Sequence, residues 1–226
     1  MMIERAQEQG TKRIAEELIR ISKQTNEGKL YKKDEIIYQP GDEDDSIYYI
    51  KEGRVKLAYL DESGRKLTLA IVGEGEIFGE MVLVGQRRRE LLAQAIEDAR
   101  IYEIERTRFL ELIQREPQLT LKILELFGRR TREIERKLED LVFKDIPTRL
   151  SRQLLKLIEE HGRRTPEGIE ISFKITHKEL ADMIGSAREN TTSALNLLER
   201  EGILDKRRYR IIIKDEERLR EKSRAL

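Results

Sequence analysis

The 226 residues include no cysteine and no tryptophan. Without thiols the chain has no disulfides, thiolate zinc sites, Cys-ligated iron–sulfur clusters or thiol redox sensors. Histidine is nearly as scarce: His161 and His177 are the only two, and neither has a partner at metal-ligand spacing. His161 reads as a residue near a helix end, and His177 as a first-turn surface residue within reach of a phosphate. A metal-dependent enzyme on a cupin-like barrel would need clustered histidines in the first half, which has none. No catalytic constellation is present, so no enzyme, metal or cofactor is expected. No apolar run approaches the roughly 20 residues of a membrane span, and the N-terminal MMIERAQEQG lacks the apolar stretch of a secretory signal. A soluble, cytoplasmic protein without a membrane partner is expected.

An excess of charge of either sign is also missing, with 45 Lys and Arg against 44 Asp and Glu. The halves differ more than the whole. Residues 144–226 hold 19 basic and 15 acidic side chains, and the remainder 26 and 29. That asymmetry agrees with a nucleic-acid partner for the second half. The charged fraction, 39%, is of the kind found in thermophile proteins. The length allows one large or two modest domains, each with its own core.

The stretch THKELADMIGSARENTTSALNLLEREGIL, Thr176 to Leu204, predicts a helix-turn-helix. Thr176 with Glu179 three residues on is a capping-box signature, opening a short helix that turns Leu180, Ala181 and Ile184 inward. Gly185 allows a tight turn, with small Ser186 and Ala187 beside it. In the second helix Ala187, Thr191, Ala194, Leu195 and Leu198 recur at helical spacing as a buried stripe. The opposite face shows Arg188, Glu189, Asn190, Thr192, Ser193 and Asn196, side chains suited to base edges and phosphates. Arg grips guanine bidentately and Glu accepts from a cytosine amine. A competing reading makes Ser186 and Glu189 a second capping box, in which Glu189 meets backbone rather than bases. Ile203 and Leu204 start a predicted strand, Asp205 to Tyr209 form a basic turn, and Arg210 to Lys214 return. Ile169, Ile171, Phe173 and Ile175 alternate with polar residues as another half-buried strand. Together these predict a winged helix, with Lys206, Arg207 and Arg208 at the wing tip placed for phosphates.

Upstream, Ile14, Leu18 and Ile21 predict an amphipathic helix over residues 10–25. From Tyr31 to Glu105 short apolar stretches alternate with glycine or acidic turns: Glu35–Tyr38, Ser46–Ile50, Val55–Leu60, Lys66–Val72 and Ile101–Ile104. Many short strands with such turns predict a small antiparallel barrel or jelly roll. Pro117 permits a new helix, along which Leu124, Phe127, Thr131, Ile134, Leu138 and Leu141 follow at steps of three and four. That spacing is a coiled-coil seam, and a parallel homodimer is preferred over a helix packed on its own barrel, which would need a broader stripe. The helix is expected to end near Lys144-Asp145, with Pro147 starting the next.

A glycine-punctuated barrel, a long helix and a C-terminal winged helix, in that order, resemble the Crp–Fnr superfamily of bacterial transcription regulators. The resemblance runs from about Tyr31 to Lys214. Its anchors are Gly41 to Gly53 with Tyr48-Tyr49-Ile50 between, Ile77-Phe78-Gly79-Glu80, Phe143-Lys144-Asp145 and the Thr176–Leu204 stretch. It implies an α+β fold with three parts: residues 1–116 as N-terminal helix and effector-type barrel, 117–144 as dimerisation helix and hinge, and 145–226 as DNA-binding domain. It also implies a homodimer that binds double-stranded DNA at a palindromic site and engages RNA polymerase, most often as an activator.

Carried over by position, Arg188 and Glu189 match the pair that reads a G·C pair in the TGTGA half-site of the cyclic-AMP-binding type. Ser193 stands where that type has a second base-reading arginine, so recognition there is expected to differ. Gly79, Glu80 and Arg89 match its nucleotide-binding cassette, and Arg88 and Arg130 are further candidates for an effector anion. Glu90, however, replaces a phosphate-contacting serine, and a carboxylate facing the pocket would repel phosphate. Ile134 and Glu135 replace the adenine-bonding Thr and Ser, and Leu91 and Leu92 add bulk that would fill the pocket. The resemblance thus implies a sensor domain that does not use cyclic AMP, with the effector, and the need for one, left open. Two alternatives stand beside this reading: an architectural or docking winged helix without sequence specificity, and a cyclic-nucleotide-gated regulator.

Overall fold

The computed structural model describes residues 14–22 and 27–224. They fall into two compact units. The first comprises the described residues up to Leu60 with Leu69–Arg130, and the second Asp61–Thr68 with the residues from Thr131 onward.

The first unit begins with α1, described over residues 14–20; the rest of the helix expected over residues 10–25 is partly turn and partly outside the described residues. Eight strands follow, with the first three residues of β5 counted in the second unit: β1 (Lys29–Tyr31), β2 (Ile36–Tyr38), β3 (Ser46–Glu52), β4 (Val55–Leu60), β5 (Lys66–Val72), β6 (Ile77–Phe78), β7 (Leu92–Ala95) and β8 (Ala99–Glu105). They form two sheets of order β1-β8-β3-β6 and β2-β7-β4-β5. The sheets do not close on each other, so the jelly-roll form of the expectation holds rather than the barrel. Between them pack Tyr38, Tyr48, Ile50, Val55, Leu57, Val72, Phe78, Ala93 and Ile101.

The run SIYYI of β3 is buried along its whole length because both its faces are covered. Tyr48 and Ile50 point between the sheets. Ile47 and Tyr49 point the other way, into a second cluster with Ile14, Leu18, Tyr102, Ile104, Phe109 and Leu119. Period-two alternation is therefore present in geometry but not in polarity. The helices supplying that second cover are α1, α2 (Arg106–Arg115) and the start of α3 (Pro117–Phe143). On α3, Leu119, Ile123 and Leu126 are buried, with Phe127 packed against the same cluster. Leu124, Ile134 and Leu138 are 61%, 52% and 62% exposed. The first part of the helix thus carries the packing face of the competing reading, while the apolar seam positions Leu124, Ile134 and Leu138 are exposed.

The second unit holds the rest of α3, then α4 (Ile146–His161), β9 (Gly162–Thr165), β10 (Gly168–Ile171), α5 (His177–Ile184), α6 (Arg188–Arg200), β11 (Leu204–Arg207), β12 (Arg210–Ile213) and α7 (Glu216–Lys222). Asp145 caps α4 by accepting from the Thr148 N–H at 2.9 Å. Its core is built from Leu150, Leu154 and Leu157 of α4, Leu180 of α5 and Leu195 and Leu198 of α6, with the sheet β11-β12-β10-β9 beside it. The strand expected over residues 169–175 ends at Ile171, although Phe173 and Ile175 remain buried. Glu170, expected on a solvated face, is buried instead. Arg163 at 3.2 Å and Arg210 flank its carboxylate and hold it well below the usual carboxylate range.

Candidate nucleic-acid interface

The first half of the interface is set by local chemistry at α5. Thr176 Oγ1 accepts from the Glu179 N–H at 3.1 Å, and the Glu179 carboxylate accepts from the Thr176 N–H at 2.6 Å. This reciprocal cap contributes about 1 kcal/mol to the helix start. Gly185 ends α5 at φ +62°, and a Cβ there would stand 2.8 Å from a Leu141 methyl. The left-handed conformation favours glycine; the Leu141 methyl belongs to an exposed side chain that can move aside.

The second capping box does not form. The N-cap of α6 is Ala187, with no side-chain bond, and the Ser186 hydroxyl is buried without a partner among the described residues. Ala187 is also exposed, so it does not belong to the buried stripe, which begins at Thr191. Arg188, Glu189 and Asn190 are exposed. Their side chains form no hydrogen bond or ion pair with the described residues, leaving the first turn of α6 free to meet a ligand. Thr192 and Ser193 donate back to the carbonyls of Arg188 and Glu189 at 2.8 and 3.1 Å. The Thr192 oxygen is thereby left to accept from His177 Nδ1 at 3.0 Å. Burial, with Lys206 and Arg188 nearby, holds the His177 pKa below its ordinary value against the pull of Glu199.

The wing differs from expectation. Lys206 and Arg207 lie within β11, and the turn is the pair Arg208-Tyr209, with Tyr209 at φ +64°. Lys206 faces α6, bonded to Asn196 Oδ1 and 3.1 Å from Glu199. Arg207 lies 2.6 Å from Glu167 and 3.3 Å from Asp205. Among the described residues Arg208 meets its own neighbour, the Tyr209 ring at 5.4 Å, and has no ion pair. Between wing and helix-turn-helix lies a cleft of about 600 Å³. Its walls carry Lys178, Arg188, Lys206, Arg207, Arg208 and Arg210 with His177, and no carboxylate. Lys178, Lys206, Arg207 and Arg210 are each paired with a carboxylate outside that lining, while Arg188 and Arg208 have no ion pair among the described residues; a cleft lined by cations suits a polyanion.

In the first unit the candidate effector residues split. Arg88 is exposed on the surface, its backbone bridged to Glu43, and Glu90 is turned to solvent. Arg89 is buried between the sheets' loops and bonded to Asp44, Ser46 O and Gly79 O. Glu80 is buried against Arg130, whose guanidinium also donates to Ile77 O at 2.9 Å. Leu91 packs on the apolar interior and Leu92 is buried. Ile134 and Glu135 are exposed on α3.

A cyclic nucleotide-binding domain model matches residues 29–116, and a Crp-like helix-turn-helix domain model matches residues 148–222. The chain is 34% identical over 176 residues to the "Cyclic AMP receptor protein" of Thermus thermophilus, covering 78% of each. It belongs to the Crp–Fnr family. As such it is a DNA-binding transcription regulator, from a family whose members are regulators and not enzymes. Among solved structures, a Crp/Fnr-family transcriptional regulator, also from Thermus thermophilus, superposes with a TM-score of 0.74 at 30% identity, covering 87% of this chain and 98% of that one. The c-di-GMP responsive global regulator of Xanthomonas campestris superposes at 0.78 and 26% identity, over 90% and 98%. The named effectors of these Crp–Fnr relatives differ, so membership alone assigns no ligand to the sandwich.

Within the described residues no group of three or more His, Asp or Glu side chains is arranged to hold a metal ion, and no helix is long and apolar enough to cross a membrane. Sequence reasoning passed over Lys178 and Arg210 as cleft residues. For Lys178 a signal existed, since it follows the N-cap threonine by two residues and so lies at the entrance of the helix-turn-helix. For Asp44 there was none: it meets Arg89 from 45 positions away along the chain.

Proposed function

We propose that the protein acts as a homodimer that reads a palindromic DNA site and activates transcription through contact with RNA polymerase, with a sandwich domain that does not require cyclic AMP. The observation carrying the reading is the cation-lined cleft beside the first turn of α6, whose Arg188, Glu189 and Asn190 side chains have no partner among the described residues. In each protomer Arg188, Glu189 and Asn190 enter a major groove, with Thr192, Ser193 and Asn196 along the same helix face. Thr176, Ser186 and the wing residues Lys206, Arg207 and Arg208 lie along the flanking backbone. Two-fold symmetry then comes from Leu124, Thr131, Ile134, Leu138 and Leu141 of paired α3 helices, joined by the part of Phe127 not packed on its own sandwich. This assigns residues 1–116 to sensing, 117–144 to pairing and 145–226 to DNA.

The test is selection of bound sequences from a random double-stranded library by the ligand-free protein, with light scattering for its mass. A dimer enriching a two-fold symmetric motif supports the reading. Enrichment only on adding a cyclic nucleotide would favour a gated regulator. Binding without any enrichment would favour an architectural protein.

A further inference from the structure

The buried guanidinium of Arg89 is saturated from within the chain. Its Nε and Nη2 both donate to Asp44 Oδ2, at 3.1 and 2.7 Å. Nη1 donates to Gly79 O at 3.0 Å, and Nη2 also to Ser46 O. One face lies over the Tyr38 ring, 4.5 Å from its centroid. The Arg89 side chain is 4% exposed and that of Asp44 16%.

Asp44 is equally fixed. Its Oδ2 accepts from the Tyr48 hydroxyl at 2.6 Å and its Oδ1 from the Ser46 N–H at 2.9 Å. The segment bearing it is stitched to the segment bearing Arg89. Gly41 N–H donates to Arg89 O at 2.8 Å, Arg89 N–H to Asp42 O at 2.9 Å and Asp44 N–H to Arg87 O at 3.1 Å. Gly79 is what lets the three groups meet. At φ +76°, a Cβ there would stand 3.0 Å from Arg89 Nη1 and 3.1 Å from the Tyr48 ring. Burial by itself would raise the Asp44 pKa. The hydrogen bonds from Tyr48 and Arg89 outweigh it and bring the value below the ordinary one, so the carboxylate is charged at neutral pH.

We propose that Asp44 is a tethered anion occupying the place on Arg89 that an effector's anionic group would take, so that the chain carries its own counterion and a latent anion site lies beneath it. The proposal deepens, and rests on, the reading that the sandwich does not require cyclic AMP. A second, partly buried cation, Arg130, is matched in the same way by Glu80. An entering phosphate diester would therefore find both of these inner cations already matched. It would have to displace a carboxylate that stays in the same pocket, leaving two anions facing one cation. A tethered group also competes at an effective concentration in the millimolar range or above. Tyr38, Tyr48 and Phe78, with ring centroids 5.0 to 5.9 Å apart, fill the space beside the pair. They give a small anion easier access than a nucleotide.

The experiment uses the full chain as wild type, D44A and D44N, titrated calorimetrically with inorganic phosphate, cyclic AMP and cyclic GMP. Wild type should show no saturable binding up to millimolar concentration, while both variants gain phosphate binding by at least tenfold. A gain for the cyclic nucleotides as well would show that the aromatic cluster yields; a gain for phosphate alone, that it does not. Folded variants that remain blind to all three probes overturn the proposal, as does a wild type that binds as tightly as D44A. D44N is nearly isosteric and keeps an oxygen for Tyr48. If it melts cooperatively only in phosphate, the tethered-anion role is supported. If it fails to fold in phosphate too, the pair is a structural staple and the proposal falls. A wild type that selects no DNA motif while D44A gains an anion would sink the functional reading alone.

Discussion

Removing Arg208 should change how DNA affinity depends on salt by an amount set by the dimer. Arg208 sits at the two-residue turn of the wing and has no carboxylate partner among the described residues. Arg207 beside it is already matched by Glu167 and Asp205, at 2.6 and 3.3 Å. Each phosphate neutralised contributes about 0.9 to the slope of log affinity against log salt. A dimer presents two wings, so Arg208→Ala should lower the slope by about 1.8, and Arg207→Ala by less, because its cation is partly neutralised before DNA arrives. The loss should be the same on any sequence, since phosphates carry no base identity. Fluorescence anisotropy with labelled duplex, from about 50 to 200 mM salt, measures it. An unchanged slope would place the wing away from the backbone and refute the docking geometry. A change of about 0.9 would mean that one protomer binds alone.

Two further expectations follow from the same groups. Leu138→Asp places a charge on the exposed seam of α3, where it removes no packing in the single chain; light scattering should show a monomer, and DNA affinity should fall. A variant still dimeric would move the pairing surface elsewhere. The pH dependence of DNA binding should come from His177, whose pKa is depressed in the free protein by burial, Lys206 and Arg188. A phosphate in the cleft favours the imidazolium and raises that pKa, so the complex binds more protons than the free protein. Affinity should therefore rise as pH falls through the histidine range and be flat above it, and His177→Gln should remove the rise. The effect on folding runs the other way: with a pKa depressed in the folded chain, the contribution of neutral His177 is present above its ordinary pKa and lost as pH falls through the depressed one. A pH profile identical in His177→Gln would exclude the residue.

The helix-turn-helix was readable in sequence because its determinants are local. The Thr176–Glu179 cap, the left-handed Gly185 and the stripe from Thr191 to Leu198 each need only a few neighbouring residues. The strands of the sandwich were read less completely. β1, β6 and β7 are short, and two-sided burial in β3 removes the polar alternation that marks a half-buried strand. The wing turn was misplaced because Lys206 and Arg207 look like loop residues in composition, yet they pair with Ile211 and Arg210 in register. Least readable were the charge partners. Arg89 with Asp44, Arg130 with Glu80 and Glu170 with Arg210 are joined only by the fold, so a basic run at 87–89 gave no sign of which arginine is buried.

The measurement that bears most directly on sequence-specific recognition is the affinity of Arg188→Ala for the selected site and for the same site with one base pair exchanged. Wild type should discriminate by about 1–3 kcal/mol at one G·C pair in each half-site. The variant should lose that discrimination while keeping its preference at the other positions. A variant weakened equally on every sequence, with discrimination intact, would make Arg188 a backbone contact and contradict the assignment of α6 as the reading helix.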